Sequence, residues 1–425
     1  MSAAALPQGW TRRRLRFDAR LNPVKSEVKL ADDAEVSFVP MDAVGELGGL
    51  RLDEQRALDD VYTGYTYFRD GDVVIAKITP CFENGKGALA TGLTNGIGFG
   101  TTELHVVRPG DTLDARFLFY MTIAHDFRCF GSAEMLGAGG QKRVPEHFLK
   151  DWRPSIPLPK TQRRLAAFLG EKTAQIDSLI EKKRASLELL AEKRQAIITQ
   201  AVTEGLNPAA PMRDSGIDWL GKTPAHWDIR GLTKCTTRVD YRGATPEKST
   251  SGVFLVTARN IKNGRIDYTL SEEFVLEDDY EHVMRRGKPV IGDVLLTTEA
   301  PLGEVAHVDR IDVALAQRII KFSSSISALD NYYLGLWMQS GKFQFDLQSR
   351  ATGSTALGIK ASKIVELRCL LPPLREQREI VAHVRAANYA IDAVRNRIET
   401  SIHQLSRYRS ALVTAAVTGQ MEGQQ

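Results

Sequence analysis

The sequence predicts an α+β protein written twice. Two tandem mixed α+β parts are each followed by one long helix, and the two helices pair as an antiparallel coiled coil about a pseudo-two-fold axis. Three observations lead there. The stretch from Pro157 to Thr203 returns from Pro372 to Thr418 at a constant offset of 215, so Gln162 answers Gln377 and Ile176-Asp177 answers Ile391-Asp392. Apolar residues recur every seventh position along both copies of that stretch. The remainder consists of short β-rich runs punctuated by Gly, Asn, Thr and Pro turns.

The first mixed part occupies residues 1–158. Strands are expected over Asp72–Ile78 and Glu103–Val107, and a short helix over Ala115–Met121. The first long helix occupies 159–206, because Pro157 and Pro159 exclude helix before it and Gly205 closes it. Its seam is Leu169, Ile176, Leu190 and Ile197, with Lys183 at the missing position. A lysine there either sets register or snorkels to the rim. Residues 207–222 read as a linker.

The second mixed part, 223–373, repeats the first: Pro224 to Trp227 answers Pro7 to Trp10, and Gly292-Asp293-Val294 answers Gly71-Asp72-Val73. The offsets there are 217 and 221, so insertions fall in the mixed parts and spare the helices. The second long helix, 374–425, follows Pro372-Pro373 and has the seam Val384, Ile391, Ile398, Leu405 and Leu412. A companion stripe runs through Ile380, Ala387, Val394, Tyr408 and Ala415. A 42-residue helix, Gln162 to Thr203, is a rod of roughly 60 Å. Antiparallel pairing would carry the mixed parts at opposite ends, a caliper whose span is set by helix length.

Composition narrows the function classes. Hydrophobic residues make 43% and charged residues 25% of 425, which is ordinary for a globular chain. The net charge is +4, concentrated on the helices: Lys160 to Leu206 carries nine Lys/Arg against six Asp/Glu. Such an excess is either a solvated surface or part of a basic face. Cys81, Cys129, Cys235 and Cys369 are scattered, without zinc or disulfide spacing, and the start has no apolar leader, so a reducing cytoplasm is expected.

Catalytic motifs are missing from the sequence. There is no Asn/Asp-Pro-Pro-aromatic motif of an adenine methyltransferase and no G-x-x-x-x-G-K-[ST] of a P-loop motor. Gly98-Phe99-Gly100 lacks the setting of a dinucleotide fingerprint, and the eight histidines form no metal-spaced cluster. Glu181-Lys182-Lys183 lies on the rod and reads as solvated charge. The chain is expected to perform no chemistry and to hold no metal.

Polar glycine-rich loops carry the remaining signal. Thr79 to Gly87 joins two strands, and Gly137 to Arg143 precedes the first helix. Thr352 to Lys360 is the counterpart of the latter. Their Lys, Arg, Gln, Asn, Ser and Thr side chains suit phosphate and base-edge contacts, though ordinary surface loops use the same residues.

Three segments resemble the specificity subunit of type I restriction-modification enzymes. They are Ala76 to Lys86, Gly98 to Pro109, and Leu371-Pro372-Pro373-Leu374-Arg375-Glu376-Gln377 with its helix ending Ala416-Val417-Thr418-Gly419. The sequence departs from that pattern at Lys160-Thr161-Gln162, and at Thr298-Glu299-Ala300-Pro301, which stands in for Ile78 to Cys81. The resemblance implies two target-recognition domains reading the halves of a split double-stranded DNA sequence. It implies two partner methyltransferase subunits, which bind S-adenosylmethionine and methylate adenine N6. It also implies restriction motor-nuclease subunits using ATP and Mg, and no cofactor in this chain. Expected DNA-binding residues are then Lys77, Thr79, Asn84, Lys86, Gln141, Lys142 and Arg143 in the first domain. In the second they are Arg242, Arg259, Asn260, Thr298, Gln317, Arg318, Ser354, Thr355 and Lys360. Two other readings remain: a two-headed protein-binding scaffold without DNA specificity, and an enzyme with an unrecognised site.

Overall fold

A computed structural model describes residues 6–138, 140–242, 246–353 and 357–421. The chain forms two compact units, Met1–Lys183 with Glu399–Gln425, and Arg184–Ile398. Each unit therefore joins one mixed part to portions of both long helices.

The first unit is built on a four-stranded antiparallel sheet in the order Ala19–Leu21, Leu104–Pro109, Val73–Ala76, Gly87–Leu89. A second sheet orders Gln55–Ala57, Glu35–Val39, Ile97–Gly100 and Thr66–Arg69, with Glu35–Val39 parallel to Ile97–Gly100. The run Val73-Val74-Ile75-Ala76 is wholly buried, because period-two alternation sends its side chains to two different cores. Val73 and Ile75 pack with Phe117, Met121 and the long helices, while Val74 and Ala76 pack with Val39, Phe68 and Val106.

The second unit repeats this plan. Its main sheet runs Thr236–Asp240, Ile319–Ser324, Val294–Thr298, Leu302–His307. Val253–Val256 lies parallel to Val313–Leu315, as Glu35–Val39 lies to Ile97–Gly100. Val294 and Leu296 face the core shared with the helices, and Leu295 faces the other. The expected linker contains a strand, Met212–Asp214, paired with Lys222–Pro224.

The long helices span Pro159–Glu204 and Leu374–Val417. Gly205 and Gly419 follow them with φ of 78° and 80°, the left-handed cap that glycine adopts without steric cost. Within the first unit Leu165, Ala166 and Leu169 share a core with Val413, Ala416 and Val417. Within the second, Ile198, Ala201 and Val202 share one with Ile380, Val381 and Val384. In both, the start of one helix lies beside the end of the other, so the segments run antiparallel.

The seam departs from a strict heptad. Leu169, Ile176, Val384 and Ile391 are buried, whereas Leu190, Ile197, Ile398, Leu405 and Leu412 are half-buried. Of the companion stripe, Val394 is 44% exposed and Tyr408 is 59% exposed. A straight helix drifts about 20° per heptad, so neighbours such as Ile198, Val381, Val413 and Val417 take over the inward face. Lys183 is half-buried.

A matched latch fixes each helix to its own mixed part. Gln162 is fully buried, its Oε1 accepting from the Asp114 amide while Nε2 donates to the Thr112 and Pro157 carbonyls. Gln377 is also fully buried, accepting from the Asp330 amide and donating to the Ala328 and Pro372 carbonyls. Each glutamine thus ties its helix start to the cap of a short helix, Ala115–Ile123 or Asn331–Gln339. Among the described residues, no helix is long and apolar enough to cross a membrane.

Candidate nucleic-acid interface

In each unit one loop follows a central strand and a second precedes the long helix, and backbone hydrogen bonds hold the two together. In the first unit the Lys77 amide donates to the Glu103 carbonyl and the Val144 amide donates to the Lys77 carbonyl. In the second, the Thr298 amide donates to the Arg318 carbonyl and the Ile359 amide to the Thr298 carbonyl. Thr298 is therefore the counterpart of Lys77, and Glu299 that of Ile78. This corrects by one residue the register in which Thr298 stood for Ile78, and it agrees with the 221 offset of the Gly-Asp blocks.

The first unit brings Lys77, Thr79, Gln141, Lys142 and Arg143 to one place. The Thr79 amide donates to the Lys142 carbonyl, and Arg143 bridges both Ile78 and Leu136. Gln141, Lys142 and Arg143 are exposed, and Lys77 and Thr79 half-buried. Arg143 grips Glu103 through Nε and Nη2 at 2.9 and 2.8 Å, and that guanidinium holds the Glu103 carboxyl below the usual range. The Thr79 hydroxyl donates to Glu83 at 3.0 Å. Asn84 and Lys86 turn the other way. Asn84 donates to Glu46 at 3.1 Å, and the half-buried Lys86 ammonium donates to the Met41 carbonyl at 2.9 Å. They brace the loop against the 41–46 segment.

The second unit gathers Arg259, Gln317 and Arg318 around a cavity of about 210 Å³ also lined by Lys248, Thr257 and Glu273. Arg318 is exposed and pairs with Glu299 at 2.7 Å. Its φ of 78° is left-handed, a conformation that costs an L-residue with a Cβ roughly 1–2 kcal/mol and that clusters at functional sites. Lys360 is exposed. Ser354 and Thr355 lie outside the described residues.

Three expected contact residues are placed as scaffold. Asn260 is fully buried. Its Oδ1 accepts from the Thr257 amide and hydroxyl, and its Nδ2 donates to the Asp267 and Ser271 carbonyls, which leaves no edge for a base. Thr298 is 1% exposed, with its hydroxyl inside the sheet. Arg242 is half-buried, clasps Asp240 and donates to the Ile359 carbonyl at 2.6 Å. Burial of Asp240 opposes its ionisation, but the hydrogen bonds and charge of Arg242 leave its carboxyl below the ordinary value. The sequence missed Lys248, which lies in a polar stretch with no periodic signal, and the buried side chains under the loops.

No group of His, Cys, Asp or Glu able to hold a metal occurs among the described residues. The four cysteines are free.

Residues 242–403 match the family model described as the type I restriction modification DNA specificity domain. The chain is 39% identical over 186 residues to the specificity subunit of the Escherichia coli type I restriction enzyme EcoAI, and 37% identical over 185 residues to that of EcoEI. Each match covers 43% of this chain and 31% of the relative, so the chain spans about a third of those relatives' length. A solved chain from work on assembly and conformational transition of the type I R-M system superposes with a TM-score of 0.67 at 17% identity, covering 98% of this chain and all of that one. The HsdS subunit from Thermoanaerobacter tengcongensis gives a TM-score of 0.50 at 16% identity, covering 98% of this chain and 99% of that one. The chain shares the fold of these solved chains over 98% of its length.

Proposed function

We propose that the chain is the non-catalytic specificity subunit of a type I restriction-modification complex, each unit reading one half of a split DNA target. The observation that carries this reading is the twice-built loop frame, Lys77 with Glu103 and Val144, and Thr298 with Arg318 and Ile359. Each frame presents exposed cationic or amide side chains, Gln141, Lys142 and Arg143 on one and Arg259, Arg318 and Lys360 on the other. Such groups position on phosphates and specify at base edges. The loop sequences differ between units, so two different half-sites are expected, separated by an unread spacer that the helices set.

In this reading the long helices hold two methyltransferase subunits, which bind S-adenosylmethionine and methylate adenine N6. Restriction subunits join with ATP and Mg, and the complex works in the cytoplasm. Selection of bound duplexes from a randomised pool tests the reading. It predicts enrichment of a two-part motif, with affinity falling steeply as salt rises. Enrichment of no motif, with salt-independent binding to protein partners, would instead support a scaffold.

A further inference from the structure

Arg128 is a buried cation that the interface described above does not use. It lies in the helix His125–Ala133, 8% exposed. Its Nη1 donates to the Phe82 carbonyl at 2.9 Å, and its guanidinium carbon sits 4.6 Å from the Phe82 ring centre. Among the described residues, Nε and Nη2 have no hydrogen-bond partner. Burial alone pushes the guanidinium down to about 9, and no carboxylate offsets it. An unpaired buried charge is costly, so stability does not account for an arginine at this position.

The second unit makes the same bond with a different side chain. The helix Gly341–Ser349 matches His125–Ala133 at an offset of 216, which sets Gln344 against Arg128. Phe82 and Gly303 correspond at the 221 offset of their loops. Gln344 Nε2 donates to the Gly303 carbonyl at 2.8 Å and to the Met338 carbonyl at 2.7 Å.

The packing between loop and helix is exchanged between the units. In the first, a Cβ on Gly131 would come within 2.3 Å of the Phe82 ring, so the loop carries the bulk and the helix the gap. In the second, the loop has Gly303 and the helix has Leu347, 3.2 Å from where a Cβ on that glycine would lie. The side chains have traded sizes while the bond to the loop carbonyl persists, so that bond is the feature held in common.

We propose that Arg128 and Gln344 are positioning residues for DNA recognition, each fixing the loop of one half-site reader by its 82 or 303 carbonyl. Arg128 adds a desolvated positive charge beneath its loop, which strengthens the attraction of that reader for the phosphate backbone. The proposal rests on the split-target reading.

The test uses the full chain, with duplexes carrying the two-part motif selected by the wild type and duplexes with one base pair changed in either half. Arg128→Met removes both bond and charge, Arg128→Gln restores the bond without the charge, and Gln344→Met removes the bond in the second unit. Arg128→Met and Gln344→Met are expected to lose about tenfold discrimination, each in a different half, leaving the other half within about twofold. Arg128→Gln is expected to keep discrimination within about twofold while lowering the log–log salt slope by less than about one, since the buried guanidinium contacts no phosphate itself.

Discrimination lost in both halves together, in step with Tm, would mean a merely structural role and overturn the proposal. So would unchanged discrimination in Gln344→Met, or an Arg128→Gln variant that loses its half-site. Should Arg128→Met not fold, the other two variants decide the matter. A wild type that selects no split motif would instead overturn the underlying functional reading.

Discussion

Arg409 clasps both carboxylate oxygens of Asp177, with Nε at 2.8 Å and Nη2 at 3.1 Å. The same two residue types meet again as Arg194 and Asp392, each 215 positions from its counterpart. One ion pair therefore occurs twice, once in each unit, and each occurrence joins a segment of one long helix to a segment of the other. The copies differ in depth. The Arg409 side chain is 8% exposed and also donates to the Leu47 carbonyl, whereas the Arg194 side chain is 22% exposed.

Depth decides the energetics of the two pairs. A double-mutant cycle on Asp177→Ala and Arg409→Ala is expected to give a coupling of about 1–2 kcal/mol, because Arg409 is desolvated while half of Asp177 remains in water. The same cycle on Arg194 and Asp392 is expected to give less than about 1 kcal/mol. Chemical denaturation read on each unit separately checks both values, and equal couplings would contradict the assignment.

Removing either glutamine latch should cost more than a surface substitution. Gln162→Ala and Gln377→Ala each strand one amide and two carbonyls in a dry site, which costs about 2–3 kcal/mol. A fall in Tm of several degrees is the expected outcome of each. A change no larger than that of an exposed control such as Arg375→Ala would show that water takes over these bonds.

The buried His105 and the half-buried His307 set a pH limit. His105 and His307 face the Val144 and Asn331 carbonyls through Nε2 at 2.8 and 3.1 Å. Burial lowers both below the ordinary histidine value, with the carbonyl bond opposing. The unfolded chain then takes up protons first, so stability is complete above the unfolded value of about 6.5 and is lost as pH falls toward the folded one. Tm should drop between pH 7 and pH 5 by more in the wild type than in His105→Gln. Parallel curves for the two proteins would contradict this source.

Exposed cations of the first unit should act on one half-site. Lys142→Ala with Arg143→Ala removes two positive groups and releases Glu103, which Arg143 otherwise neutralises. The expected result is about a tenfold or greater loss of affinity, with discrimination changed in one half alone. Electrophoretic shifts on half-site variants measure it, and an unaltered pattern at both halves would exclude these residues.

Much of the fold was legible in the sequence because duplication preserved the helices without insertion. The first helix starts at Pro159 and ends just before Gly205, and the second starts just after Pro372-Pro373 but ends at Val417, short of the expected 425. The sheet order was not legible, since the parallel pairing of Glu35–Val39 with Ile97–Gly100 joins strands distant in sequence. Asn260 and Thr298 show why contact residues are harder: their types suit DNA, but a loop sequence does not say which side chains turn inward. Arg128 and Gln344 carried no signal, because the feature they share is a bond to a backbone carbonyl and not a residue type.

Choice of a split DNA target is the property proposed for this chain. Mapping N6-methyladenine across the genome of a host that carries a partner methyltransferase, with and without this chain, tests it most directly. A two-part motif with a fixed spacer is expected to appear only when the chain is present. Assembly of the complex with no new methylated motif would contradict it.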